Sequence, residues 1–138
     1  KVPLPVDISI TADDKGLWVD TFMDGKARYF DISDPFNPVQ KYEETIGSQV
    51  NMISQSWDGK RAYFSTSLLG NWDKTGEADE QWVKLYAWDE EKLELSHKWT
   101  IDFYKEKLGR AHQMRFGAYS LYSSQGKNNN KEVTMLDK

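Results

Sequence analysis

Residues 8–21 read ISITADDKGLWVDT, and residues 53–66 repeat this pattern 45 positions later as ISQSWDGKRAYFST. Each copy starts with a short alternating segment, passes through a turn rich in Asp, Lys and Gly, and ends in an aromatic segment. Alternation with a period of two residues is typical of a β-strand, and Asp and Gly tolerate the backbone angles of a tight turn. Both copies therefore predict a strand, a turn and a second strand.

A second predicted strand pair follows each copy of the repeat. Strand-like sequence continues at residues 28–31 after the first copy and at residues 84–89 after the second. The two units close on similar residues, at 44–46 and 99–101, and a third unit starts near His112. Four-stranded units that recur every 40 to 60 residues or so are typical of the blades of a β-propeller.

The predicted fold class is all-β, as one partial β-propeller domain with approximate units at 1–46, 47–101 and 102–138. The alternative is a sandwich built from two unrelated hairpin pairs. A propeller ring usually needs about four to eight blades, and an open arc would leave two apolar sheet faces in water. We therefore expect the remaining blades to come from a partner chain or from sequence outside these 138 residues.

The composition narrows the chemistry that these residues can perform. The chain has 138 residues, a net charge of −4, no cysteine and two histidines. These values exclude disulfides and thiolate sites within the sequence, and they argue against a general nucleic-acid surface. No apolar run reaches the roughly 18 residues of a membrane-spanning helix. His97 alternates with Leu95 and Trp99 among charged residues, so we expect it on the surface.

Four longer motifs resemble the C-terminal part of the selenium-binding protein family, whose bacterial members include methanethiol oxidase. They are YFDISDPFNP at 29–38, WDGKRAYFSTSL at 57–68, NWDK at 71–74 and IDFYKEKLGRAHQMR at 101–115. The resemblance covers about residues 2–117 and depends on the order and spacing of the whole set. It departs from the family in a shortened glycine-rich stretch at 47–51 and in the ending after residue 117. The cysteine associated with selenium binding is absent, so no selenium role is assigned.

The resemblance implies a seven-bladed propeller of which these are the last blades. It also implies copper as cofactor and the oxidation of methanethiol by O2 to formaldehyde, hydrogen sulfide and hydrogen peroxide. Bacterial members of this kind are exported to the periplasm, whereas animal relatives are cytoplasmic. The altered ending fits a bacterial member better, so we expect a periplasmic protein.

His112 is the candidate metal ligand, because imidazole nitrogen suits copper and because the residue starts the predicted innermost strand of the third unit. Asp7 and Asn51 occupy approximately equivalent positions in the earlier units, so they are candidate channel-lining residues. Met114 follows two residues after His112 and offers a soft thioether, although a methionine on a strand more often fills a core. Trp72, in a long insertion, could cover the mouth of the site or could simply anchor a solvated loop.

Two functions remain open at the level of sequence. The first is an oxidoreductase, similar to methanethiol oxidase, in which the missing blades supply further imidazoles and a small thiol and O2 are the substrates. The alternative is a non-catalytic selenium- or metal-binding propeller that acts as a protein-interaction module, since one fold hosts many functions. Copper content and thiol consumption distinguish them.

Overall fold

The computed structural model of the chain describes residues 2–66 and 80–115. Within these residues the fold is all-β, with eight strands in two four-stranded antiparallel sheets. Each strand pairs with its neighbour along the chain, so each sheet is a simple meander. The first sheet contains β1 (Pro5–Ile10), β2 (Gly16–Thr21), β3 (Lys26–Asp31) and β4 (Val39–Thr45). The second contains β5 (Val50–Gln55), β6 (Arg61–Thr66), β7 (Trp82–Asp89) and β8 (Glu94–Asp102).

The two copies of the repeat form the same turn between the first and second strands of each sheet. Asp13 accepts hydrogen bonds from the Thr11 hydroxyl at 2.6 Å and from the backbone N–H two residues later at 3.2 Å. Asp58 accepts the matching bonds from the Ser56 hydroxyl and from the backbone N–H two residues later at 3.1 Å. Because these carboxylates satisfy turn donors, the turn-forming role predicted for them is confirmed.

Both innermost strands carry an irregularity at the same point. The register shifts between Pro5 and Asp7 in β1, and between Val50 and Met52 in β5. The pairing therefore places Met52, rather than Asn51, at the position that matches Asp7. Asp7 and Asn51, predicted to be approximately equivalent, thus differ by one position, since the spacing of 45 residues between the copies aligns Asp7 with Met52.

The core lies between the two sheets and is built largely from aromatic side chains. Trp18 of the first sheet packs against Trp88 and Phe64 of the second, with ring centroids 4.8 Å and 6.0 Å apart. Trp18 and Phe64 are almost completely buried, and Tyr29 closes the cluster from β3. Such tilted and edge-to-face pairs contribute about 0.5–1.5 kcal/mol each beyond the burial of their area. This cluster joins the sheets face to face.

The opposite face of the first sheet is apolar but uncovered by the described residues. On β1, Ile8 is 58% exposed and Ile10 is 52% exposed, whereas Ser9 between them faces the second sheet. Their cross-strand partners on β2, Val19 and Leu17, are only half-buried. A sheet that is apolar on both faces is typical of a propeller blade with a neighbour on each side. No helix in the described part of the chain is long and apolar enough to cross a membrane.

Candidate functional site

The segment from Ala111 to Arg115 lies against the second sheet, where a third blade would start. The Ser65 hydroxyl on β6 donates a hydrogen bond to the backbone carbonyl of His112. The Ser54 hydroxyl on β5 donates to the backbone carbonyl of Met114. The segment itself has no regular strand pairing, so the innermost strand predicted to start at His112 is not formed within the described residues. The rest of the third unit lies outside them.

The side chains of this segment differ in exposure. Ala111 is buried and Met114 is half-buried, whereas His112 is exposed. No hydrogen bond joins the His112 ring to another residue of the described ranges, so neither ring nitrogen is committed there. An uncommitted imidazole and a nearby thioether are donors that suit copper. The donor set is incomplete, because the described residues hold no group of three His, Cys, Asp or Glu side chains that could bind a metal.

Asp7 joins the innermost strands of the two sheets. Its carboxylate Oδ2 accepts a hydrogen bond from the backbone N–H of Ile53 on β5 at 3.0 Å. Its own backbone N–H donates to Oδ1 of Asp20 at 2.9 Å. Gln55 Nε2 donates to the Ser9 hydroxyl at 2.8 Å and adds a second link between the same strands. One oxygen of the predicted channel-lining carboxylate is thus occupied in holding the sheets together.

Asp20 is a buried acid that the sequence analysis missed. Its side chain is 0% exposed, and Oδ2 has no hydrogen-bond partner among the described residues. Burial, together with the nearby charge of Asp7, raises the pKa of Asp20 to about 8. One sequence signal could have found it: Asp20 follows Trp18 by two positions, which places the carboxyl on the buried face of β2. The group can therefore hold a proton near neutral pH.

The other predicted site residues are placed only in part. Asn51 is half-buried and lies at the irregularity in β5, the first strand of the second sheet. Trp72 lies outside the described residues. The roles predicted for Asn51 and Trp72 remain predictions.

A cleft of about 650 Å³ lies between the turns at the other end of the two sheets. Its lining includes the turn carboxylates Asp13, Asp58 and Asp89, together with the exposed side chain of Trp57. Asp89 accepts hydrogen bonds from Lys92 in its own turn. Asp13 and Asp58 likewise accept hydrogen bonds from backbone N–H groups in their own turns. None of the predicted site residues lines this cleft. We interpret its carboxylates as part of the turns.

Comparison with known sequences gives consistent relationships. Residues 2–123 match the family model described as 56kDa selenium binding protein (SBP56). The chain is 63% identical over 123 residues to a methanethiol oxidase of Ruegeria pomeroyi, covering 89% of this chain and 28% of that protein. It is 56% identical over 128 residues to a methanethiol oxidase of a Hyphomicrobium species, covering 93% of this chain and 29% of that protein. The human methanethiol oxidase is 33% identical over 153 residues, covering 82% of this chain and 32% of its own length.

Solved structures show the same architecture. A hypothetical selenium-binding protein from Sulfolobus tokodaii superposes with a TM-score of 0.61 at 27% identity, covering 73% of this chain and 26% of that one. The β-propeller domain of Cps50 (Swd1) from Myceliophteria thermophila superposes with a TM-score of 0.53 at 13% identity, covering 71% and 28%. At 13% identity, the similarity to the Cps50 domain shows the fold alone. Together with the two meanders, these superpositions confirm the prediction of a partial β-propeller.

Proposed function

This chain belongs to the 56 kDa selenium-binding protein family, and on that premise we propose that it contributes blades and one metal ligand to a copper-dependent methanethiol oxidase. The observation that carries the proposal is the 63% identity to the Ruegeria pomeroyi methanethiol oxidase over 89% of the chain. The 56% identity to the Hyphomicrobium enzyme supports it independently.

The proposed enzyme needs a complete ring. The chain spans about 28% of the length of the Ruegeria relative, and its first sheet has an apolar face that the described residues leave uncovered. We propose that the remaining blades, in the N-terminal part of the same parent protein or in a second chain, cover this face. Burial of its Ile and Val side chains would contribute about 1.5–3 kcal/mol for each one that becomes fully buried.

His112 is the proposed copper ligand from this chain. Its imidazole is exposed and free of hydrogen bonds within the described ranges, and Met114 offers a thioether two residues later. Further imidazoles would come from the other blades. Copper bound by such donors supplies redox chemistry toward a thiol and O2. The role of this chain is to hold one imidazole in place on a segment bonded to the second sheet, while the rest of the ring supplies the other ligands.

In the proposed overall reaction, methanethiol, O2 and water give formaldehyde, hydrogen sulfide and hydrogen peroxide, in equal molar amounts. The carbon of methanethiol loses two electrons as its C–S bond breaks, and a C–O bond forms with oxygen from water. O2 gains the two electrons and two protons and becomes hydrogen peroxide. Each turnover therefore consumes one O2 per thiol and releases one sulfide.

We also propose a periplasmic location. The support is the higher identity to the two bacterial relatives, at 63% and 56%, than to the human one, at 33%. Cell fractionation with a periplasmic and a cytoplasmic marker enzyme tests this. Recovery of the protein in the same fraction as the cytoplasmic marker would contradict a periplasmic location.

The experiment for the activity uses the complete propeller, prepared with copper and after chelation. We expect the copper-loaded protein to consume methanethiol and O2 in a 1:1 ratio and to release formaldehyde, sulfide and peroxide in the same ratio, whereas the chelated protein does neither. Stoichiometric copper without thiol consumption would contradict the enzymatic function. That result would favour the alternative, a metal-binding propeller that recruits a partner protein.

A further inference from the structure

Two serine hydroxyls hold the segment that carries His112. Ser65 on β6 donates to the carbonyl of His112, and Ser54 on β5 donates to the carbonyl of Met114. Both serines lie on the same face of the second sheet, because Ser65 pairs with Met52 and Ser54 is two residues further along β5. The two bonds therefore fix the backbone carbonyls of the residues on either side of Gln113.

The buried Ser65 hydroxyl fixes the segment to the second sheet. The Ser65 side chain is 0% exposed, and its bond to the carbonyl of the exposed His112 is partly buried. Removal of the hydroxyl would take this donor from the carbonyl, and the net loss of such a hydrogen bond costs about 0.5–1.5 kcal/mol. Without this bond the segment is less firmly fixed on the sheet, and a shift of its backbone would displace the imidazole.

The junction between the two sheets offers an internal comparison. There the Ser9 hydroxyl on β1 accepts a hydrogen bond from Gln55 on β5. Ser9 and Ser54 occupy matching positions in the repeat, 45 residues apart. The serine in the first sheet thus contacts a side chain, whereas Ser54 and Ser65 contact the main chain beside the proposed ligand.

We propose that Ser65 and Ser54 are positioning residues that set the direction of the His112 imidazole toward the axis of the propeller. This inference rests on the proposed function, because it takes His112 to be a copper ligand. A metal site needs its ligands within about 0.5 Å of the productive geometry, and residues that orient ligands typically change metal affinity by about 10- to 100-fold. Neither serine needs to touch the metal for this effect.

The test is a copper titration of the complete propeller, with Cu(II) alone as the probe and a competing chelator to report the dissociation constant. We expect Ser65→Ala to weaken copper binding by about 10-fold or more, and Ser54→Ala by less, because Ser54 is only half-buried. The electron paramagnetic resonance spectrum of bound Cu(II) should change in both variants. Ser9→Ala is the matched control and should leave affinity and spectrum unchanged.

A conservative variant separates positioning from general stability. Ser65→Thr keeps the hydroxyl and should retain most of the copper affinity that Ser65→Ala loses. If Ser65→Ala does not fold, the copper affinities and spectra of Ser54→Ala and Ser65→Thr can still be compared with those of Ser9→Ala.

Two results would overturn the inference, and they are distinguishable. Loss of copper in His112→Ala with native affinity and spectrum in Ser65→Ala and Ser54→Ala would refute the positioning role and leave the proposed function intact. Native copper binding in His112→Ala would refute the proposed function, and the inference would fall with it.

Discussion

The two faces of the second sheet are held in opposite ways. Toward the first sheet, the carboxylate of Asp7 accepts the N–H of Ile53, beside a tightly packed aromatic cluster. Toward residues 111–115, hydroxyls of Ser54 and Ser65 donate to backbone carbonyls, and the histidine that they hold is exposed. The first junction satisfies donors and buries aromatic rings, whereas the second satisfies acceptors and leaves the His112 side chain exposed. Under the proposed function, packing and chemistry would lie on different faces of the second sheet.

The largest effect expected at the first junction comes from Trp18→Ala. Trp18 is almost completely buried and contacts aromatic rings of both sheets, so truncation should leave a cavity and destabilise the protein by about 3–5 kcal/mol. The free energy of unfolding in urea measures the loss. Trp57→Ala is the control, since Trp57 is 69% exposed and should change stability little. Equal losses in the two variants would mean that the aromatic cluster does not join the blades.

A smaller loss of stability is expected where the turn after β2 lies close to the linker between the two sheets. Gly25 has a φ of 66°, and a Cβ at this position would lie 1.9 Å from the carbonyl oxygen of Gly47, in the linker to the second sheet. Gly25→Ala should therefore cost about 3 kcal/mol, from backbone strain and the clash together.

Gly59→Ala is the matched control for this substitution. Gly59 has a φ of 68°, but a Cβ at this position would meet no atom within 4 Å, so only the strain of about 1 kcal/mol is expected. Urea unfolding of both variants measures the difference. A loss at Gly25 no larger than the loss at Gly59 would contradict the close approach.

Asp20 gives the first junction a pH dependence. Its pKa is about 8 in the folded protein and 3.8 in the absence of burial, so the folded state binds the extra proton between these values. Stability should therefore fall as the pH rises from about 4 to about 8, by at most about 1.4 kcal/mol per pH unit. Asp20→Asn imitates the neutral acid and should flatten this dependence between about pH 4 and pH 8. An unchanged slope in the variant would show that Asp20 is ionised in the folded protein.

Much of the fold could be predicted because its information is local. The Asp turns at residues 13 and 58 and the aromatic segments after them are encoded within a few residues of each other, and they recur at a constant spacing. The irregularity in β1 and β5 was not predicted, because a bulge changes the count without leaving a distinctive residue type. The irregularity leaves the alignment of the two copies unchanged, because it occurs at the same point in both strands.

The site was less predictable than the fold for a physical reason. His112 could be singled out by its residue type and its motif, but Ser54 and Ser65 could not, because serine is common and their contacts lie 60 and 47 residues away in sequence. Asp20 was missed because its importance comes from burial between two sheets, which depends on the packing of both.

The central claim is that His112 is a copper ligand at the hub of a larger propeller. The most direct measurement is the copper content of the complete propeller after metal loading and desalting, for the unaltered protein, His112→Ala and His97→Ala. His97 is exposed and its ring contacts Thr100 at 2.9 Å, so it is the matched histidine control. We predict one copper per ring in the unaltered protein and in His97→Ala, and a clear loss in His112→Ala. Full copper occupancy in His112→Ala would contradict the claim.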